Sequence, residues 1–177
     1  MRTVTYGAAC SLDGFIAGSG GEIDWLYISA DVNQIMRDYW KSVDTILMGR
    51  KTWDQAVRMG GGGDMSGMSK IKTYVFSRTM KSLDAKGAAL VSDDAGEFVR
   101  DLKLRPGKDI CLMGGGEFAR SLFEANVVDE VGMNVHPVLL GAGVPMFLDP
   151  SHRIALELKE SRKIEGGCIY SLYRVKN

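Results

Sequence analysis

Three short segments of this chain pair glycine with hydroxyl or cationic side chains in a pattern suited to holding phosphate. In Met48-Gly49-Arg50-Lys51-Thr52-Trp53 the glycine permits close approach, two cations follow, and a threonine hydroxyl stands beside them. If a helix opens here, its exposed amides add to the cations and the segment becomes a seat for an anion. Ser77-Arg78 supplies a second hydroxyl and cation. Gly114-Gly115-Gly116-Glu117-Phe118-Ala119 follows the apolar run Ile110-Cys111-Leu112-Met113, so its backbone N–H groups and a helix dipole can face a pyrophosphate. Its spacing fits the Rossmann glycine pattern, but the context does not. The motif comes late, only antiparallel-looking strands follow it, and no acidic residue stands at the expected position about 20 residues on. Another dinucleotide fold is needed.

Other chemistry-bearing residues are sparse. Asp31, at the start of a helical stretch, is a carboxylate that could serve a substrate or simply favour the helix dipole, and Asp54 is a second one beside the basic segment. His136 precedes a proline at a strand end and reads as structural. Cys10, Cys111 and Cys168 lie far apart in apolar runs, which indicates buried free thiols and no metal site.

The elements that must position these groups alternate. Arg2 to Cys10 reads as a strand running into the turn Ser11-Leu12-Asp13-Gly14. Ser29 or Asp31 can cap a helix whose Val32, Ile35, Met36, Tyr39 and Trp40 recur on one face, predicted to be buried. Strands follow over 45–48, 74–76, 88–91 and 110–113, with a short helix over 53–57. Asp93 or Asp94 caps another helix, and one more starts after Gly116. A long strand over 127–135 precedes a hairpin of 155–164 with 169–175, joined around Gly166-Gly167. Alternation first and a hairpin last predicts an α/β fold, a largely parallel sheet with helices on both faces and an antiparallel C-terminal edge. Gly60 to Gly67 reads as a mobile loop, since no lysine follows at the phosphate-loop spacing.

The totals narrow the classes. A chain of 177 residues with 45% hydrophobic composition is expected to form one domain over 1–177. Twenty-two basic residues balance 22 acidic ones, which gives no global field for nucleic acid or an anionic membrane. No apolar run is long enough to span a bilayer and no leader is evident, so a reducing, cytoplasmic setting is expected.

Taken in order, Ser11-Leu12-Asp13-Gly14, Asp24-Trp25-Leu26, the Met48 to Trp53 segment, Ser77-Arg78, the triple glycine, and His136-Pro137-Val138-Leu139-Leu140-Gly141 with Pro145-Met146-Phe147 resemble the dihydrofolate reductase-like superfamily. Ser-Leu-Asp-Gly and Pro-Val-Leu-Leu-Gly are most similar to the C-terminal reductase domain of the bifunctional riboflavin deaminase-reductase. The resemblance implies a three-layer fold with a mixed sheet of about eight strands and NADPH across the strand ends. Gly49, Arg50, Lys51 and Thr52 would then hold the 2′-phosphate and pyrophosphate, with Ser77 and Arg78 beside the adenine ribose. Met113, Gly114, Gly115, Gly116, Glu117 and Phe118 would take the remaining pyrophosphate and nicotinamide side, and Ala9 and Ile16 would line the nicotinamide. Ala8, Trp25, Asp31 and Trp53 would face the substrate, Asp31 as the catalytic candidate, with 18–23 as a lid.

The activity implied is NADPH-dependent reduction of a small heterocycle, of the 5-amino-6-(5-phosphoribosylamino)uracil reductase type, by a homodimer. Dihydrofolate reduction is the nearest alternative, disfavoured because Trp25-Leu26-Tyr27-Ile28 departs from that branch. A non-catalytic nucleotide-binding dimer of the same fold is a further one. The zinc signature of the deaminase half is absent.

Overall fold

In the computed structural model, which describes residues 1–58, 71–149 and 151–176, ten strands and four α-helices are present. The strands are β1 (Val4–Ser11), β2 (Phe15–Ala17), β3 (Val43–Gly49), β4 (Lys72–Phe76), β5 (Ala88–Val91), β6 (Asp109–Gly114), β7 (Glu130–His136), β8 (Val144–Pro145), β9 (Ala155–Lys163) and β10 (Ile169–Lys176). The helices are α1 (Ala30–Ser42), α2 (Arg50–Arg58), α3 (Ala95–Leu104) and α4 (Gly116–Glu124). Eight strands form one sheet in the order β5-β4-β3-β6-β1-β7-β10-β9, and β2 pairs with β8 apart from it. Pairing is parallel from β5 through β7 and antiparallel where β10 meets β7 and β9. The glycine-rich stretch 60–67 lies outside the described residues.

The two faces of the sheet are packed differently. One carries Val4, Tyr6, Leu47, Tyr74, Ile110, Leu112 and Val131 against Val99 and Leu102 of α3 and Ala119, Leu122 and Phe123 of α4. The other carries Ile46, Met48, Val75 and Cys111 against Trp53 of α2 and Tyr39 and Trp40 of α1. Fully burying each such side chain stabilises the fold by roughly 1.5–3 kcal/mol before ordering entropy is counted. The charged ends are tied as well. Arg2 is buried, bonded to Asp44 and, at 2.6 Å, to Thr45 Oγ1, and buried Lys103 reaches Asp129 at 2.7 Å.

Local signals set most boundaries. Ser29 Oγ accepts from Val32 N and opens α1, while Asp94 accepts from Glu97 N and opens α3. The hairpin turns through Gly166 and Gly167 at φ 73° and 75°, a region that favours glycine. Three expectations change, and two short strands were not anticipated. The helix expected over 53–57 begins at Arg50, directly at the end of β3. The strand expected from Val127 begins at Glu130; Val127 and Val128 are buried as lead-in, with Lys103 Nζ donating to Val127 O. The apolar face of α1 is only half buried: Val32, Ile35, Tyr39 and Trp40 are partly covered, Met36 is 40% exposed, and Ile35 and Tyr39 border a cavity between the helix and the β9–β10 hairpin. Strands β2 and β8, of three and two residues, are too short for alternation to show.

Candidate functional site

The crevice of interest follows from topology. β3 and β6 are parallel neighbours, yet the chain leaves β3 through α2 toward β4 and leaves β6 through α4 toward β7 on the opposite side. Connections that diverge in this way open a crevice beyond the carboxyl ends of the two strands, where open α/β sheets take ligands. Both strands end in glycine, Gly49 and Gly114. Gly114 has φ 101°, and the Gly114–Gly115 peptide is cis. The glycines also let the helix starts meet. A Cβ on Gly49 would lie 3.1 Å from Phe118 Cβ, and one on Gly115 would lie 3.2 Å from Thr52 Oγ1. Gly115 caps α4 without a side-chain hydrogen bond, so the first-turn amides of Gly116, Glu117 and Phe118 are left for a ligand.

The expected cofactor residues gather here. Arg50 Nε sits 3.3 Å from Asp54 Oδ2 and its Nη1 donates to Thr79 Oγ1 at 3.2 Å. Lys51 Nζ lies 3.0 Å from Glu117 Oε2, and Lys51 holds the Glu117 carboxyl below the usual carboxylate range. Just past β4, Ser77 Oγ accepts from the amides of Thr79 and Met80, shaping the turn that presents exposed Arg78. Phe76 stacks on Phe118 with ring centroids 4.6 Å apart, fixing the end of β4 against α4. Met113, half buried, packs with the second core cluster.

Toward β1 and β7 the expected substrate side unfolds differently. Ala8 and Ala9 are half exposed near the end of β1, and Ile16 packs on the first core cluster from β2. Trp25 stands edge-on to the His136 ring at 5.3 Å. Trp53 packs in the second core cluster with Ile46, Met48, Val75 and Cys111, so its described contacts are those of a core residue. Asp31 is exposed in the first turn of α1; its Oδ2 accepts from Glu165 N at 3.1 Å, while Glu165 Oε2 accepts from Ala30 N at 3.3 Å. It lines a cavity of about 330 Å³ between α1 and the β9–β10 hairpin, with Asp38 and Tyr39 on the helix wall and Arg162, Lys163 and Tyr170 opposite.

Two features escaped the sequence. The first centres on His136, 2% exposed, whose Nδ1 faces Tyr27 N and Cys168 Sγ, each at 3.4 Å. Both are donors, so Nδ1 accepts and Nε2 carries the proton toward Asn134, 3.2 Å away. Asn134 Oδ1 is buried without a partner, and turning the amide over gives that oxygen to Nε2–H. Burial pushes the His136 pKa down, consistent with a neutral ring. The second is a brace. Asp13 accepts from Ser11 Oγ at 2.6 Å, from Leu140 N at 3.2 Å and from Gly141 N at 2.8 Å, while Leu12 N bonds Val138 O. Ser-Leu-Asp-Gly and Pro-Val-Leu-Leu-Gly are thus two halves of one clasp. Nothing in local spacing links residues so distant; only the acceptor-rich Asp in a turn hints at it.

The three cysteines are free and buried. Among the described residues, no three His, Cys, Asp or Glu gather at metal-ligand spacing, and no helix is long and apolar enough to cross a membrane.

Fold and crevice together define a dihydrofolate reductase-like α/β protein. Dihydrofolate reductase from Enterococcus faecalis, complexed with NADP(H), superposes with a TM-score of 0.70 at 15% identity, covering 99% of this chain and 97% of that one. A Shewanella sp. PV-4 protein whose name provisionally assigns it to riboflavin biosynthesis gives a TM-score of 0.86 at 24% identity, over 99% and 100% of the two chains. The chain belongs to the RibD C-terminal domain family, which it matches over residues 2–170. The uncharacterised protein YyaP of Bacillus subtilis (strain 168) is 36% identical over 181 residues, covering 98% of this chain and 95% of YyaP.

Proposed function

We propose that this protein is an NADPH-dependent oxidoreductase of the riboflavin-pathway type, reducing a small heterocycle related to 5-amino-6-(5-phosphoribosylamino)uracil. The supporting observation is the crevice between β3 and β6, where two helix starts meet over glycines and Arg50, Lys51 and Arg78 supply positive charge. A dinucleotide suits it, because the lack of side chains at Gly49 and Gly115 lets the two helix starts approach closely, and the first-turn amides of α4, uncapped by any side chain, are free to bond an anion. When bound, NADPH supplies the hydride. Arg50, Lys51 and Thr52 would hold its 2′-phosphate and pyrophosphate, with Ser77 and Arg78 at the adenine ribose. Gly114 to Phe118 would hold the remaining pyrophosphate, and Ala9, Ile16 and Met113 would direct the nicotinamide toward β1. Ala8, Trp25 and Asp31 would orient the heterocycle, Asp31 taking a ring N–H or amino group from the wall of the cavity it lines.

The same reading includes a two-fold dimer. On one face of the C-terminal hairpin Leu156, Leu158 and Ile169 are 41%, 55% and 41% exposed, while the other face is occupied by ion pairs such as Glu157 with Arg174. An apolar face beside a charged one suits a second copy of the chain.

The deciding experiment is steady-state oxidation of NADPH with the ribosylaminopyrimidine and with dihydrofolate, in the wild type and in Arg50→Ala. Arg50 is half exposed and already shared with Asp54, so the lower end of charge-assisted bonding applies, and the variant should weaken NADPH about tenfold with NADH nearly unchanged. Equal losses for both cofactors would remove the 2′-phosphate assignment, and no turnover with either substrate would remove the reductase reading.

A further inference from the structure

We infer that the Glu117 side chain sets the balance between NADPH and NADH, as a carboxylate that a ribose 2′-hydroxyl can bond and a 2′-phosphate must displace from Lys51. This rests on the cofactor assignment above, in which only the amide of Glu117 had a role.

Lys51 is the second residue of α2 and Glu117 the second residue of α4, so the two stand on opposite lips of the crevice. Their charged atoms meet across its mouth at 3.0 Å. The other cation, Arg50, is paired within its own helix by Asp54 at 3.3 Å. Both cations of the proposed 2′-phosphate seat therefore already face a carboxylate, but only the Lys51–Glu117 pair spans the gap that a ligand must enter. Asp54 can stay where it is; Glu117 cannot.

The chemistry of the two cofactors separates at this point. The 2′-hydroxyl of NADH donates a hydrogen bond, and a carboxylate near a helix start is a suitable acceptor, as in dinucleotide sites that read the ribose with an acidic residue. The 2′-phosphate of NADPH carries close to two negative charges and has nothing to donate at neutral pH. It gains Lys51 only if the carboxylate swings away, and it keeps a like charge nearby even then. The swing is cheap, since the side chains of Lys51 and Glu117 are 86% and 71% exposed and an exposed pair of this kind is weak. Glu117 thus lowers the NADPH preference that Arg50 and Lys51 would otherwise give, without abolishing it.

The test is calorimetric titration of wild type and Glu117→Gln with NADPH and NADH at low ionic strength, with thermal melts to confirm equal stability. Removing one unit charge beside a partly solvated phosphate should tighten NADPH about fivefold. NADH should weaken about twofold or not change, since glutamine keeps an acceptor. Equal changes for both cofactors, or none, in a variant that still binds them would overturn the inference and leave the cofactor assignment standing. A wild type that binds neither cofactor would overturn both.

Discussion

Replacing Gly49 by alanine tests whether the two helix starts must touch for the crevice to work. The added Cβ would lie 3.1 Å from Phe118 Cβ, 3.6 Å from its Cγ and 3.7 Å from Gly114 O. Phe118 cannot retreat freely, because it lies in the first turn of α4 and stacks on Phe76. Overpacking of this degree costs about 1–2 kcal/mol. With about 2 cal/mol/K of unfolding entropy per residue, a chain of 177 residues has roughly 0.4 kcal/mol/K, so Tm should fall by about 3–5 °C. The first-turn amides of α4 move with Phe118, and both cofactors share the pyrophosphate those amides would hold. NADPH and NADH should therefore weaken together, by about tenfold. The comparison is Gly132→Ala on β7, whose Cβ would meet only Leu172 Cδ1 at an ordinary 3.8 Å, and whose Tm should change by less than about 2 °C. Melting curves and titrations of the two variants side by side decide the matter. If Gly49→Ala behaves like Gly132→Ala in both, the close approach of the helix starts has no bearing on binding.

Two further outcomes concern stability and assembly. His136 has a lowered pKa in the folded chain, so as pH falls below the ordinary imidazole value of about 6.5 the unfolded chain takes up the proton first. Stability should then drop until pH passes the depressed value and stay level below it; urea unfolding of His136→Gln should lack that component, and an unchanged pH dependence would refute it. Leu158→Lys, placed on the apolar face of the hairpin, should shift a dimer to monomer in sedimentation measurements with little change in melting, whereas a wild type already monomeric at all concentrations would exclude the proposed interface.

How much of this was legible in the sequence depends on the range of the interactions. Ser29 and Asp94 declare helix starts through bonds to amides three residues on, and Gly49 and Gly114 fall where a strand must stop, so the segments that converge on the crevice could be named before their geometry was known. The same local signal misplaced the start of α2, because no capping side chain precedes Arg50. Periodicity identified the apolar face of α1 but not its partial exposure, which depends on how far the hairpin stands from the helix. What stayed hidden was pairing at a distance. Asp13 with Gly141, His136 with Cys168 and Lys51 with Glu117 each join segments whose neighbourhood is set by strand order, and strand order has no local signature.

That order has a consequence for how the chain acquires its structure. β1 must wait for both of its neighbours despite its early place in the sequence: Val4 pairs with Ile110 and Thr5 with Glu130. During synthesis, Val4, Tyr6 and Cys10 emerge with both strand edges bare and wait for more than a hundred further residues. Contacts of such separation are slow to form, and a lone apolar strand offers its edges to any other chain meanwhile. The right-hand half of the sheet can then close only in sequence, β1 against β6, β7 against β1, and the C-terminal hairpin onto β7. A nascent chain halted before β6 would hold the β3 wall of the crevice in place while β1, the strand that should lie at the centre of the sheet, remained a sticky tether, a natural client for whatever holds unfinished proteins apart.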